Sequence, residues 1–293
     1  MDGFLNLLKP PGMTSSDAVV YVRRMLRDSK VGHAGTLDPE AAGVLPIMIG
    51  KAARLFDYLV DKEKRYIAEW MPGIETDTQD AQGKVVSTCA MRPTLKALTS
   101  ILPQFIGEVL QVPPAYSAIK CQGQKAYDLA RAGETVALAP RLTQIHAITV
   151  EGQTARGGVM LQIICGKGTY VRTICHDIGR ALGCGAHMAF LLRTRSGMFD
   201  IAKACTLEEM VEAQAVGRLE TLLIPMDEPL SHLPCVHIPE TAFARARNGN
   251  PIPTAELSDI PAQGQPVRLY MQERFAGIGI CQEDAIRFQS MLL

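Results

Sequence analysis

The chain has 293 residues, 47% hydrophobic and 20% charged, the balance of a globular protein rather than a disordered or fibrous one. Thirty basic residues meet thirty acidic ones, so any polyanionic partner has to be met by a local patch and not by net charge. No apolar run approaches the ~20 residues that span a bilayer, and Met1-Asp2-Gly3-Phe4 lacks the regions of a secretory signal. A cytoplasmic protein of one large or two unequal domains is therefore expected.

Thr14 followed by Asp17 has the spacing of a capping box. Ala18, Val19, Val22, Met25 and Leu26 then recur at helical spacing, with Arg23, Arg24 and Arg27 on the other face. Gly32 to Pro46 is rich in glycine and proline, reads as a loop, and feeds an apolar run over Val44 to Ile49 that predicts a buried strand. Lys51 to Val60 reads as a helix with Ala52, Leu55 and Leu59 inward, and Tyr66 to Met71 as a strand. Helices follow over Thr94 to Leu102 and Gln124 to Ala132, the second stopped by Gly133. Leu142 to Val150 and Val159 to Cys165 predict a hairpin, and Thr169 to Leu182 a helix ended by Gly183. Thr206 with Glu209 opens another helix through a second capping box. Strands and helices alternate without βαβ periodicity, which favours an α+β fold.

After about Leu230 the prolines crowd together, and Asn248-Gly249-Asn250-Pro251 is a strong turn signal. Val267 to Met271 and Phe275 to Cys281 read as a strand pair, with Arg287 to Gln289 a third. The expected division is residues 1–230 and a small β-rich domain over 231–293.

Charge and cysteine usage limit the chemistry. Basic residues gather in the first 66 positions, among them Lys9, Arg23, Arg24, Lys51, Arg54, Lys62, Lys64 and Arg65; acids gather in Glu75 to Asp80, Glu208 to Glu212 and Glu256 to Asp259. A basic face opposite an acidic one, or a solvated surface with no partner, would both look this way. The eight cysteines include no C-x-x-C pair, and Cys175-His176 and Cys184 with His187 lack the paired spacing of a tetrahedral site. Reduced, mostly buried thiols and no metal are expected.

One carboxylate stands out. Asp38 lies inside Gly32-His33-Ala34-Gly35-Thr36-Leu37-Asp38-Pro39, with no basic neighbour in that segment. Pro39 biases Asp38 toward extended backbone. From the residues alone it is either a turn aspartate bonded to its own backbone or a nucleophile or general base.

That segment resembles the catalytic motif of the bacterial tRNA pseudouridine synthase B family. Further segments similar to that family follow in order: Leu8-Lys9-Pro10-Pro11-Gly12-Met13-Thr14-Ser15, Lys64-Arg65-Tyr66, Thr76-Asp77-Thr78-Gln79-Asp80-Ala81-Gln82-Gly83, Pro113-Pro114-Ala115-Tyr116-Ser117-Ala118-Ile119-Lys120, Gly168-Thr169-Tyr170-Val171-Arg172-Thr173 and Gly183-Cys184-Gly185-Ala186-His187. The resemblance implies a mixed, mainly antiparallel sheet flanked by helices, then a PUA-like RNA-binding domain, although that last part matches loosely and would serve equally as a structural cap. It implies isomerisation of uridine 55 in the T-loop of tRNA to pseudouridine, with Asp38 as nucleophile, the base flipped out, and no cofactor. By the same resemblance Arg172 pairs with Asp38, and Tyr66 stacks on the target base with its hydroxyl where a proton moves. Tyr170 contacts the uridine, Leu191 walls the pocket, His33 takes the place of the flipped base, and Lys9 supports the site. An arginine at a helix start also meets the positive end of the helix dipole, so an acid such as Asp38 is expected against Arg172. Pro72 departs from the family pattern and puts the length of its strand in question.

A rival reading is a non-catalytic tRNA-binding or folding factor on the same scaffold; Asp38, Tyr66 and Arg172 together argue against it. A second is the relative guided by a separate RNA, against which stand the lack of long basic tails and a chain that ends after the small β domain. The tRNA T-stem-loop is the expected partner, with no membrane and no obligatory protein partner.

Overall fold

The computed structural model describes residues 1–26, 30–60, 62–117, 119–121, 123–134 and 138–293. Arg27 and Ala118 lie outside the described residues. In chain order the first part runs β1 (Gly3–Lys9), α1 (Ser15–Leu26), β2 (Val31–His33), β3 (Ala42–Ile49), β4 (Lys64–Pro72), β5 (Ile74–Thr76), β6 (Val85–Thr88), α2 (Leu95–Ile101), β7 (Gly107–Gln111), β8 (Arg141–Gln153), β9 (Val159–Cys165), α3 (Val171–Ala181), β10 (Ala186–Ser196) and α4 (Leu207–Ala215). Among the described residues these build a ten-stranded sheet in the order Leu223–Ile224, β1, β3, β10, β4, β9, β8, β7, with β2 added to β3 and Phe199–Asp200 to β10. Every pairing is antiparallel except β3 with β10, which matches the mixed, mainly antiparallel expectation.

Strand alternation decides which residues face the helices. Tyr66, Ala68 and Trp70 of β4 point one way and join Leu161 and Ile163 of β9, and Ile174 and Ile178 of α3, in the main core. The Trp70 indole N–H donates to the Cys175 carbonyl at 3.0 Å, which fixes α3 over the sheet. Gly179 lets that helix sit close, because a Cβ there would meet the Ala186 nitrogen at 2.4 Å. Both capping boxes form: Asp17 and Thr14 bond reciprocally at α1, and Thr206 with Glu209 at α4.

The second part is a five-stranded sheet, β11 (Cys235–Ile238), β12 (Pro266–Met271), β13 (Arg274–Gln282) and β14 (Ala285–Met291), closed by Ile252–Pro253. Val236, Ile252, Val267, Leu269 and Ile286 make its own core. A separate core joins the two parts. Phe275, Ile278 and Leu292 belong to it together with Phe4, Ala34, Val44, Met48, Leu55 and Leu59 of the first part.

The structure departs from the sequence reading in a few places. Strands β1, β2, β5, β6, β7, β10 and β11 are additional. Helix α3 begins at Val171 instead of Thr169, because the Gln111 side chain brackets the Tyr170 backbone: its oxygen accepts from the Tyr170 N–H at 2.7 Å and its amide donates to the Tyr170 carbonyl at 3.0 Å. That holds Tyr170 extended at φ −101°, ψ 109°. The helix expected from Gln124 begins at Ala126, since Gln124–Lys125 pairs with Lys120–Cys121. In place of a helix from Lys51, Gly50–Leu55 is a 3₁₀ turn leading into a short α-helix over Phe56–Val60. Strand β4 runs through Pro72, which pairs with Ala186.

Candidate active site

The loop between β2 and β3 is held from beneath by its neighbours. The buried Ser15 hydroxyl, at the start of α1, donates to the Leu37 carbonyl at 3.0 Å and accepts from the Leu37 N–H at 2.8 Å. Gly12 N–H donates to the Pro39 carbonyl at 3.0 Å, and Ala41 N–H closes the turn on the Asp38 carbonyl at 3.1 Å. Lys9 is fully buried, and its ammonium donates to the carbonyls of Pro10, Met13 and Pro39. Burial pushes the Lys9 pKa down to about 8, with Glu40 and Asp38 opposing. All three ammonium protons are committed to carbonyls, so Lys9 braces the loop from inside.

With the backbone so fixed, the Asp38 carboxylate turns away from its own turn and toward α3. Arg172 Nε lies 3.0 Å from Asp38 Oδ2, and Nη2 donates to Oδ1 at 3.2 Å, a two-point grip on a carboxylate that stays 36% exposed. Between the two readings of Asp38, this geometry leaves the turn-capping one without a hydrogen bond among the described residues. Arg172 is itself buried, and its remaining donors reach the Thr78 carbonyl at 3.2 Å and the Tyr116 carbonyl at 3.0 Å. Asp80 Oδ2 stands 3.6 Å from Arg172 Nη1. The guanidinium thus has two carboxylates to offset the dipole end of α3. Burial raises the Asp38 pKa above the ordinary carboxylate value and Asp80 adds to the rise, while Arg172, Lys9 and Arg193 oppose it.

Asp80 belongs to one of the family-like segments but had no expected role, and its loop is wired in place. Thr78 Oγ1 donates to Asp80 Oδ1 at 2.6 Å, Thr76 Oγ1 donates to the Asp80 carbonyl at 2.6 Å, and Gln82 N–H donates to Asp80 Oδ1 at 3.0 Å. Thr173, next to Arg172, donates to Gln79 Oε1 at 3.0 Å.

Strands β4 and β10 supply the other wall. Tyr66 and Arg193 are register partners, as are Ala68 and Leu191, so Tyr66, Leu191 and Arg193 share a face. Tyr66 is 7% exposed and Leu191 is buried in the same core. Burial raises the Tyr66 phenol pKa, keeping it protonated at neutral pH, while the Arg193 charge pulls the other way. Tyr170 is half-buried at the start of α3, where burial also raises its phenol and Arg172 and Asp38 both act on it. His33 stands at the end of β2, half-buried, with a buried Nδ1 that has no hydrogen-bond partner among the described residues. Burial and Arg193 lower its pKa, so its ring is neutral near pH 7. Asp38 thus meets Arg172 directly and its charge reaches Tyr66 and Tyr170, Leu191 lies on the Tyr66 face, Lys9 sits beneath the loop, and His33 stands half-buried within reach of the Arg193 charge.

Arg193 was missed in the sequence, where it sits outside every recognisable segment. A charged residue directly after the largely apolar run Ala186 to Leu192 was the available signal. Among the described residues no group of three or more His, Cys, Asp or Glu side chains is placed to hold a metal ion, and no helix is long and apolar enough to cross a membrane.

Comparison with known proteins is consistent along the whole chain. The family model described as TruB family pseudouridylate synthase (N terminal domain) matches residues 23–171. Those described as tRNA pseudouridylate synthase B C-terminal domain and Pseudouridine synthase II TruB, C-terminal, match residues 172–231 and 234–287. A tRNA pseudouridine synthase B of Alkaliphilus oremlandii is 43% identical over 286 residues, covering 97% of this chain and 94% of that protein. One from Thiobacillus denitrificans is 44% identical over 255 residues, covering 87% and 85%. Among solved structures, a chain of a Cbf5-Nop10-Gar1 complex is similar with a TM-score of 0.75 at 27% identity, covering 99% of this chain and 85% of that one.

Proposed function

Given that the chain belongs to the TruB family of pseudouridylate synthases, we propose that it isomerises the uridine at position 55 of the tRNA T-loop to pseudouridine, with Asp38 as nucleophile. The observation that carries this reading is the Asp38–Arg172 pair: a carboxylate gripped at two points from behind and open to solvent in front. A group so held is oriented without being used up. It can attack carbon and later leave, as a nucleophile in a two-step transfer must.

The rearrangement breaks N1–C1′ and joins C5 to C1′. One proton leaves C5 and one arrives at N1, so nothing is oxidised, added or lost, and no cofactor is required. Burial raises the Asp38 pKa, and the Arg172 charge pulls it back toward the ionised form that a nucleophile needs. The Tyr66 ring offers a stacking face, and its protonated hydroxyl stands where the base proton moves. Tyr170 and Leu191 complete an aromatic and apolar pocket that accepts a base out of its stack. His33, whose Nδ1 has no hydrogen-bond partner among the described residues, is the group to occupy the space the base leaves. Residues 1–230 carry the chemistry, and residues 231–293 hold the tRNA away from the reacting base. A tRNA substrate is met where tRNA is processed and used in translation, so the protein works in the cytoplasm. A protein that only bound or refolded tRNA would have no use for an ionised carboxylate facing phosphates.

The test is to incubate the protein with an unmodified tRNA transcript and map pseudouridine by chemical labelling. Conversion at the T-loop uridine is expected, and Asp38→Asn should abolish it while tRNA binding persists, because phosphate and stacking contacts carry affinity. Turnover by Asp38→Asn near the parent rate would remove Asp38 from the mechanism.

A further inference from the structure

Arg193 is 1% exposed, among the largest fully buried side chains of the protein. A buried guanidinium normally faces a carboxylate. Among the described residues none forms an ion pair with this one. Its Nε donates to the Val44 carbonyl at 2.7 Å, Nη1 to the Thr36 carbonyl at 3.3 Å and Nη2 to the Gly35 carbonyl at 3.1 Å. Those three carbonyls bracket Asp38 in sequence: two precede it in the loop and one opens β3 after it. Opposite Arg193 in the β4–β10 register stands Tyr66, on whose phenol the guanidinium acts directly. The backbone of β10 is itself pressed against the loop's exit, for a Cβ on Gly43 would meet the Arg193 carbonyl oxygen at 2.2 Å.

We propose that Arg193 is a positioning residue of the reaction, fixing the two ends of the loop that carries Asp38 and holding a positive charge beside the Tyr66 hydroxyl. The proposal rests on the reading of Asp38 and Tyr66 given above. A planar fork with five donors suits this role, since its three nitrogens hold their N–H groups at fixed separations and reach carbonyls on both ends of the loop, whereas an ammonium gathers its three protons on one nitrogen and cannot span those positions. Carbonyl oxygens neutralise none of its charge, so the field of Arg193 stays available to the site. Lys9, Arg172 and Arg193 all act on Asp38, against the single further carboxylate Asp80. The excess of positive charge favours the anionic character that develops on a pyrimidine when its glycosidic bond is cleaved.

The test compares Arg193→Lys, which keeps the charge and loses the fork, with Arg193→Gln, which loses the charge. Each is made in the parent and in a Tyr66→Phe background, alongside Asp38→Asn. Single-turnover conversion at saturating enzyme and tRNA affinity by filter binding are measured separately, after melting curves establish folding. Arg193→Lys should lose roughly 10²-fold in the single-turnover rate, the scale of a misplacement near 1 Å, with tRNA affinity unchanged within about threefold; Arg193→Gln should lose more. In the Tyr66→Phe background the Arg193→Lys effect should shrink, because part of it acts through the phenol. A folded Arg193→Lys with the parent rate overturns the proposal, as do fully additive effects with Tyr66→Phe. If neither Arg193 variant folds, the residue serves stability alone and the proposal falls. Conversion by Asp38→Asn would instead overturn the reading of the site, whatever the Arg193 variants do.

Discussion

Deleting residues 231–293 tests how far the two sheets depend on one another. Phe275, Ile278 and Leu292 are buried in the core they share with Phe4, Val44, Met48 and Leu55. At ~1.5–3 kcal/mol for each fully buried side chain, these three contribute about 5–9 kcal/mol. Lys51 Nζ donates to the Leu292 carbonyl at 3.0 Å and Ser290 Oγ to the Arg54 carbonyl at 3.1 Å, adding about 1 kcal/mol apiece. A typical domain has only about 5–15 kcal/mol in all. The truncated chain, although it holds every proposed catalytic side chain, should therefore melt at least 10 °C lower, since 1 kcal/mol moves the midpoint of a chain this size by roughly 2–4 °C. It should bind an apolar dye through the uncovered patch. Its single-turnover rate should fall even where it stays folded, because Ala34 of the loop that carries Asp38 is a member of that core. Melting curves, dye fluorescence and single-turnover conversion read the three effects. A truncated protein that melts within about 3 °C of the parent and binds no more dye would refute the reasoning and make the first sheet self-sufficient.

Two further outcomes follow from the site. Asp38 has a folded pKa raised above its unfolded value, so its contribution to stability is fully present below the unfolded pKa and is lost as pH rises through the folded one. Asp38→Asn should therefore melt higher than the parent at neutral pH, with the difference shrinking as pH falls through that folded value; a lower melting point at pH 7 would mean that the unpaired Arg172 outweighs the relief. Gly43→Ala places a methyl on the Arg193 backbone and forces an alanine to φ 118°, which should cost several kcal/mol and slow conversion in the same assay; a variant with parent stability and rate would show that β10 can withdraw from β3.

What was legible in the sequence was mostly local. The cap at Thr14, the cap at Thr206 and the hairpin of β8 and β9 are written in neighbouring residues, and all three form. Asp38 was found through its surroundings of glycine and proline, and Arg172 through the resemblance and an unfavourable place on its helix. Strand β10 was not legible, because His187, Arg193 and Arg195 interrupt its apolar residues, and its alternation makes sense only with β3 on one side and β4 on the other. Arg193 shares that fate, since its partners at Gly35, Thr36 and Val44 are distant in sequence. Lys9 was legible only as a supporting residue near the motif, and the three carbonyls that converge on it come from positions a sequence does not bring together.

The place of β10 also orders events in time. It is the strand wedged between β3 and β4, yet it is synthesised roughly 140 residues after β3 ends, a delay of about 7–30 s at ribosomal speeds of 5–20 residues per second. Until then β3 and β4 have no strand to join them, and the loop carrying Asp38 lacks the three carbonyl anchors it receives from Arg193. The nascent chain thus carries the proposed nucleophile out of the ribosome early and goes without a formed site until Ser196 has emerged. An incomplete product released in that interval would hold the motif and lack the activity.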